Sequence, residues 1–289
     1  METAAVLPVA GIRLGSVAAG IRYKDRKDLV LIELAPGSTC AAVFTTNAFC
    51  AAPVIVAREH LAAGEPRYLL INSGNANAGT GDSGLRAARE TCKSLAAAAG
   101  CAMSQVLPFS TGVIGMDLPT NAFAVAAPSA LQALDEQGWE EAARAIMTTD
   151  TVPKVVTQKG RLRGAAFTVT GVAKGSGMVR PDMATLLCFV MTDIAAEPSL
   201  LKEMLLAAAD RTLNRITVDG DTSTNDTALL MANGQSGARI NSAADRQEFQ
   251  GILNAVLMSL GKQLVKDGEG ATKLVEIAVK GATSDADAY

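Results

Sequence analysis

Lys174-Gly-Ser-Gly-Met-Val-Arg-Pro-Asp-Met-Ala-Thr185-Leu-Leu-Cys-Phe-Val-Met-Thr-Asp193 is the stretch on which the reading of this chain turns. Glycine-rich backbone runs into a proline turn and then into the small Ala184, and Thr185 opens an uninterrupted apolar run. A short apolar run bounded by turn residues predicts a buried strand. Thr185 then presents a hydroxyl at the mouth of a sheet, and the peptide bond before it is held where a strained turn meets a rigid strand.

A threonine hydroxyl is a poor nucleophile unless a base takes its proton. One solution is an N-terminal threonine whose own α-amine does so. That amine titrates near about pH 8, so part of it is neutral at neutral pH. An internal threonine becomes N-terminal only if the chain is cut before it. Thr185 could make that cut by attacking the Ala184 carbonyl, an N-to-O acyl shift followed by ester hydrolysis. From this segment alone the signal is weak, and an ordinary strand threonine behind a glycine-rich turn is the commoner reading. The order of Gly and Lys in Lys174-Gly-Ser-Gly is the reverse of a phosphate-binding loop.

Composition narrows the chemistry. The 289 residues contain one histidine, His60, in AREHLAAGE, expected at a strand-to-loop boundary. Ser-His-Asp, Cys-His and His-rich zinc sites all need imidazole, and no nucleophile motif lies near it. His60 therefore reads as structural or solvated, and the base of a covalent mechanism is not imidazole. The five cysteines show no CxxC spacing and fit reduced, mostly buried thiols of a cytosolic protein. Net charge is -3 with no basic stripe, which argues against nucleic acid as a partner. No uncharged apolar run approaches a membrane span of ~20 residues. The opening METAAVLPVAGIRLGSVAAG lacks the basic region of a secretory signal. The chain is expected to be soluble and cytoplasmic. Asp219-Gly-Asp-Thr-Ser-Thr-Asn-Asp226 lacks the glycine and terminal glutamate of a calcium loop, and is expected to be a hydrogen-bonded loop supporting the site, with no metal.

Further strands are expected at 29–34, 41–46, 53–57, 68–72, 165–173, 186–192, 228–233 and 273–279. Helices are expected at about 83–99, 129–147, 199–212 and 245–266, the last opened by a capping box at Ser242 or Asp245. Helices fall between pairs of strands rather than after each one, which argues for α+β layers over a doubly wound sheet. No G-x-G-x-x-G follows a first strand. The sequence stops at ATSDADAY, just after an expected strand and entering an apparent helix, and reads as incomplete.

The segment 174–193 closely resembles the self-processing segment of the ornithine acetyltransferases, also called bifunctional glutamate N-acetyltransferases. GIRLGSVAAGIRYKDRKDLVLIEL, AAVFTTNAFCAAPV, INSGNANAGTGDSG, FSTGVIGMDLP, AIMTTDTVPK, TVDGDTSTNDT and VKDGEGATK look like further family blocks, in family order, so that the resemblance covers essentially the whole chain. It implies a layered α/β/β/α sandwich and transfer of acetyl from N-acetylornithine to glutamate through an acetyl-threonine. No cofactor is implied, although acetyl-CoA is a possible second donor. Thr185 matches the nucleophile and Ala184–Thr185 the cleavage site, dividing the chain into an α part (1–184) and a β part (185–289) that associate as α2β2. Thr111 and Gly112 match the oxyanion hole. Lys174 matches a position for the substrate α-carboxylate and Glu269 a substrate contact. Thr148, Thr149 and Thr151 lie in a block that supplies a substrate-binding threonine, with Thr148 favoured. Family members run about a hundred residues further, through a block that closes the pocket. A hydrolase of similar architecture, an N-terminal-nucleophile aminopeptidase, and an inactive fragment are the competing readings.

Overall fold

A computed structural model describes residues 5–180 and 186–288. Strands β1 (Ile12–Val17), β2 (Leu29–Leu34) and β3 (Thr39–Phe44) come first, followed by α1 (Ala52–Ala63), β4 (Tyr68–Asn75), α2 (Gly81–Ala99) and β5 (Val106–Val113). Helices α3 (Thr120–Gln132) and α4 (Trp139–Ala145) lead to the hairpin β6 (Lys154–Leu162) and β7 (Ala165–Lys174). Then come β8 (Leu187–Thr192), α5 (Pro198–Arg211), β9 (Thr227–Ala232), α6 (Ala243–Lys266) and the short α7 (Asp285–Ala288).

The strands form two mixed sheets, β1-β2-β4-β5 and β3-β9-β8-β7-β6. Among the described residues only β4–β5 and β8–β9 pair in parallel, each across a helical crossover. The layers follow from side-chain alternation, because successive residues of a strand face opposite sides. Leu29 and Leu31 pack outward under α1, α2 and α3, while Val30 and Ile32 point inward. Leu187, Phe189 and Met191 meet them in the central core, and Cys188 and Val190 lie under α5 and α6. Strand β8 is therefore buried on both faces, and its sequence is an unbroken apolar run rather than an alternating one. The result is an α/β/β/α sandwich of the α+β class, not a doubly wound sheet.

Several expectations need correction. The run 53–57 is not a strand. It lies in α1, where Pro53 occupies the first turn, a position that needs no N–H donor. A short apolar run cannot be told from a buried helical face by periodicity alone. His60 accordingly sits on α1 and not at a strand boundary. The expected helix 129–147 is two helices, with α3 starting at Thr120. The break carries a bridge between Leu14 and Asp135, and a Cβ on Gly138 would lie 2.3 Å from the Leu14 carbonyl oxygen. Residues 273–279 form no strand. No neighbouring ladder accepts them among the described residues, and Val275 and Ile277 are exposed. Strands β1, β5 and β6 were not expected. Pro108 obscures β5, and is tolerated because β5 is an edge strand. Ser242 does cap α6, accepting from the Asp245 N–H at 3.1 Å.

Phe189 is fully buried between the sheets, edge-on to Phe109 at 5.2 Å. Phe189→Ala is expected to lower unfolding free energy by about 3–5 kcal/mol, measured by urea denaturation, because neither sheet can close on the void.

Candidate active site

A cavity of about 560 Å³ opens where the C-terminal ends of β4 and β5 face the end of β7. Thr111, Gly112, Thr148, Lys174 and Glu269 all line it, as does Thr149. A small recess beside it is lined by Thr111, Lys174, Leu186, Leu187, Asn225 and Asp226. Ala184 and Thr185 lie outside the described residues. Leu186, the next residue in the chain, is buried and borders that recess.

Gly112 sits at the end of β5 with φ of 134°, and a Cβ there would lie 2.3 Å from the Gly74 carbonyl carbon. Only glycine allows β4 and β5 to approach this closely at the register irregularity around Gly74 and Asn75. Asn225 supports the same corner: its Nδ2 donates to the carbonyls of Ala76 (2.7 Å) and Ser110 (2.9 Å). Asn72 Oδ1 accepts from Ser110 Oγ at 2.6 Å, fixing the strand behind Thr111.

Beneath the cavity lies a buried charge network. Lys154 is wholly buried, and its ammonium donates to Asp150 Oδ1 at 2.8 Å and Asp267 Oδ2 at 2.6 Å. Asp150 also accepts from the Thr148 N–H (3.1 Å) and the Gly175 N–H (2.7 Å). Lys174 Nζ lies 3.9 Å from Asp150 and donates to Thr111 Oγ1 at 3.0 Å. Burial alone would raise the Asp150 carboxyl, but the Lys174 and Lys154 charges, with the Lys154 and Gly175 hydrogen bonds, hold it below its ordinary value. Asp267 is held low against the same burial penalty, by the hydrogen bonds from Lys154 and Thr151. Burial pushes the Lys174 ammonium down, opposed by Asp150.

The threonines of the TTDT segment separate. Thr148 and Thr149 reach the cavity, and the Thr149 hydroxyl pairs with Ser176 Oγ at 2.7 Å. Thr151 does not line it; its N–H and hydroxyl both bond Asp267. The Glu269 N–H donates to the Ser176 carbonyl at 2.7 Å, and Gly177 leaves the space its carboxylate occupies. Asp219 accepts from Met178 and Val179, so the 219–226 loop anchors the glycine-rich segment. Among the described residues no cluster of His, Cys, Asp and Glu is placed to hold a metal ion. His60 Nδ1 meets the Val106 carbonyl at 2.7 Å, away from the cavity. Burial pushes the thiols of Cys40, Cys92 and Cys188 up to about 12, so none is a thiolate at neutral pH. Sequence reasoning missed the roles of Asp150, Lys154 and Asp267, and gave the loop holding Asn225 only a general supporting role. Their signal in the sequence was slight, because Asp150 and Lys154 lie among other polar and turn residues and meet Asp267 only in the fold.

The family model described as the ArgJ family matches residues 13–289. The arginine biosynthesis bifunctional protein ArgJ of Methylococcus capsulatus is 53% identical over 283 residues, covering 97% of this chain and 69% of that protein. The crystal structure of the same-named protein from Bacillus halodurans has a TM-score of 0.57 at 36% identity, covering 64% of this chain and 96% of that one. Ornithine acetyltransferase of Mycobacterium tuberculosis, solved with ornithine, has a TM-score of 0.53 at 33% identity, over 61% and 94% of the two chains. A sandwich and cavity with this kinship are those of an acyltransferase enzyme. The chain belongs to the ArgJ family, acyltransferases of arginine biosynthesis that act on small molecules. No helix among the described residues is long and apolar enough to cross a membrane.

Lys154→Met would leave two buried carboxylates without their cation, and is expected to destabilise the fold by about 3–5 kcal/mol. Asp150 and Asp267 both have folded values below the ordinary 3.8. Their stabilisation is therefore present above that value and drains as pH falls through the folded values. Unfolding free energy measured between about pH 5 and pH 3 should fall with pH in the wild type, and much less in Lys154→Met.

Proposed function

We propose that this chain moves an acetyl group from N2-acetylornithine to glutamate through an acetyl-Thr185 intermediate, having first cut itself between Ala184 and Thr185. The observation that carries the reading is the convergence of Thr111, Gly112, Thr148, Lys174 and Glu269 on one cavity, beside a recess bordered by Leu186. Cutting before Thr185 frees its α-amine, which serves as the base for its own hydroxyl. Thr185 Oγ attacks the acetyl carbonyl, and Thr111 Oγ1 with the Gly112 N–H stabilises the oxyanion, at about 3 kcal/mol per donor. The amide C–N bond breaks, ornithine leaves with the proton the α-amine collected, and the acetyl ester remains on Thr185. The glutamate amine then attacks that ester, its proton returns to Thr185 Oγ, and N-acetylglutamate departs.

Lys174 holds the α-carboxylate common to both substrates. Glu269, an acid at the cavity wall, suits the second amine of ornithine. Thr148 is the substrate-binding threonine of its segment. Thr151, engaged with Asp267, has no part in the contact. No cofactor is required, and acetyl-CoA serves as a second donor.

The two pieces, 1–184 and 185–289, stay together because strands of the second lie between strands of the first in one sheet. In the order β3-β9-β8-β7-β6, β9 and β8 follow the cut and the others precede it. The assembly is α2β2 and cytoplasmic. The FSTGVIG and TTDTVPK blocks favour the transferase over a hydrolase of similar architecture.

Under denaturing conditions, intact mass is expected to give two pieces split between Ala184 and Thr185, and Thr185→Ala one inactive piece. A wild-type chain that stays continuous through this bond and still turns over N-acetylornithine would overturn the reading. Labelled acetyl recovered on glutamate rather than as free acetate separates the transferase from a hydrolase.

A further inference from the structure

We propose that Asp150 is a positioning residue for acyl transfer, holding the Lys174 ammonium against Thr111 so that the Thr111 hydroxyl proton points into the cavity. The inference rests on the reading of Thr111 as an oxyanion donor.

An ammonium has three donors and no acceptor. In the 3.0 Å contact between Lys174 Nζ and Thr111 Oγ1 the lysine therefore donates, and the threonine oxygen accepts. The hydroxyl's own proton is left to donate elsewhere, and Thr111 lines both the cavity and the recess. A charged donor on the oxygen also polarises the O–H bond, making it a stronger donor to a developing oxyanion.

This direction holds only while Lys174 keeps its proton. A neutral amine carries a lone pair and would accept from Thr111, turning the hydroxyl proton away from the reacting carbonyl. Lys174 is buried, and the charged groups facing it are Asp150, Lys154, Asp226 and Glu269. Burial and Lys154 both favour loss of the proton, and the carboxylates oppose it, Asp150 most strongly. Asp150 is also fixed in place: it is tied to Lys154, to the Thr148 N–H and to the N–H of Gly175, the residue next to Lys174. One immobile carboxylate thus sets both the charge of Lys174 and the backbone from which it extends.

The test measures kcat and KM for acetyl transfer from N-acetylornithine to glutamate across pH, in Thr111→Val, Asp150→Asn and the double variant. Thr111→Val should lower kcat about 100-fold, as loss of one oxyanion donor does. Asp150→Asn should lower kcat about 10-fold and move the alkaline fall of kcat to lower pH. In the Thr111→Val background the same Asp150→Asn change should lower kcat less than about 2-fold, because the two act as a unit. Losses that multiply, or an alkaline limb that does not move, overturn the proposal. If Asp150→Asn does not fold by circular dichroism, Lys174→Met carries the test. Its kcat loss should vanish in the Thr111→Val background while its KM increase persists, and a kcat loss that survives overturns the proposal. A wild-type chain that is uncut or transfers no acetyl sinks the functional reading, and this inference with it. A cut, active wild type with multiplying losses sinks this inference alone.

Discussion

Lys154 is the residue around which the site is built. An ammonium held wholly out of water is tolerable only when carboxylates compensate it closely, and here Asp150 and Asp267 do so from different parts of the chain. That requirement ties the turn after α4, the end of β7 and the C-terminus of α6 to one point. Thr148, Gly175 and Glu269 are fixed by residues in or beside this knot. Two lysines and two aspartates balance in charge, so the loss of any one member leaves a buried charge uncompensated.

Above the knot, the geometry depends on backbone approach. Gly112 and Gly74 let β4 and β5 close at the cavity end, and Asn225 brings the loop before β9 onto the same corner. Each sheet thus contributes one wall, and the cavity exists only when both sheets are stacked. The central core of Phe109, Phe189 and their neighbours does this stacking.

Much of this could be read from residue order. The run LLCFVMT declared a buried strand, and the capped stretch after Ser242 declared a long helix. STGVIG, TTDT, KGSG and DGEG named segments that do converge on one cavity. Other features were not legible for physical reasons. PVIVA has the same composition as a strand and as one face of α1, and periodicity over so few residues cannot separate them. The run 273–279 has every strand preference, but strand identity belongs to a pair, and no partner lies beside it among the described residues. The roles of Asp150 and Lys154 depend on Asp267, more than a hundred positions away, and spacing says nothing about such a meeting.

The order of strands in the larger sheet also sets a clock on biosynthesis. Strand β3 is made early, yet among the described residues its only sheet neighbour is β9, so it waits while the chain from Phe44 to Thr227 is synthesised. At about 5–20 residues per second on the ribosome, that delay is on the order of ten seconds or more. The smaller sheet, whose strands all precede residue 114, and helices α1 to α5 have time to form first. The cavity, which needs Asn225 before β9 and Asp267 after α6 in support, comes into being only once residue 267 has been made.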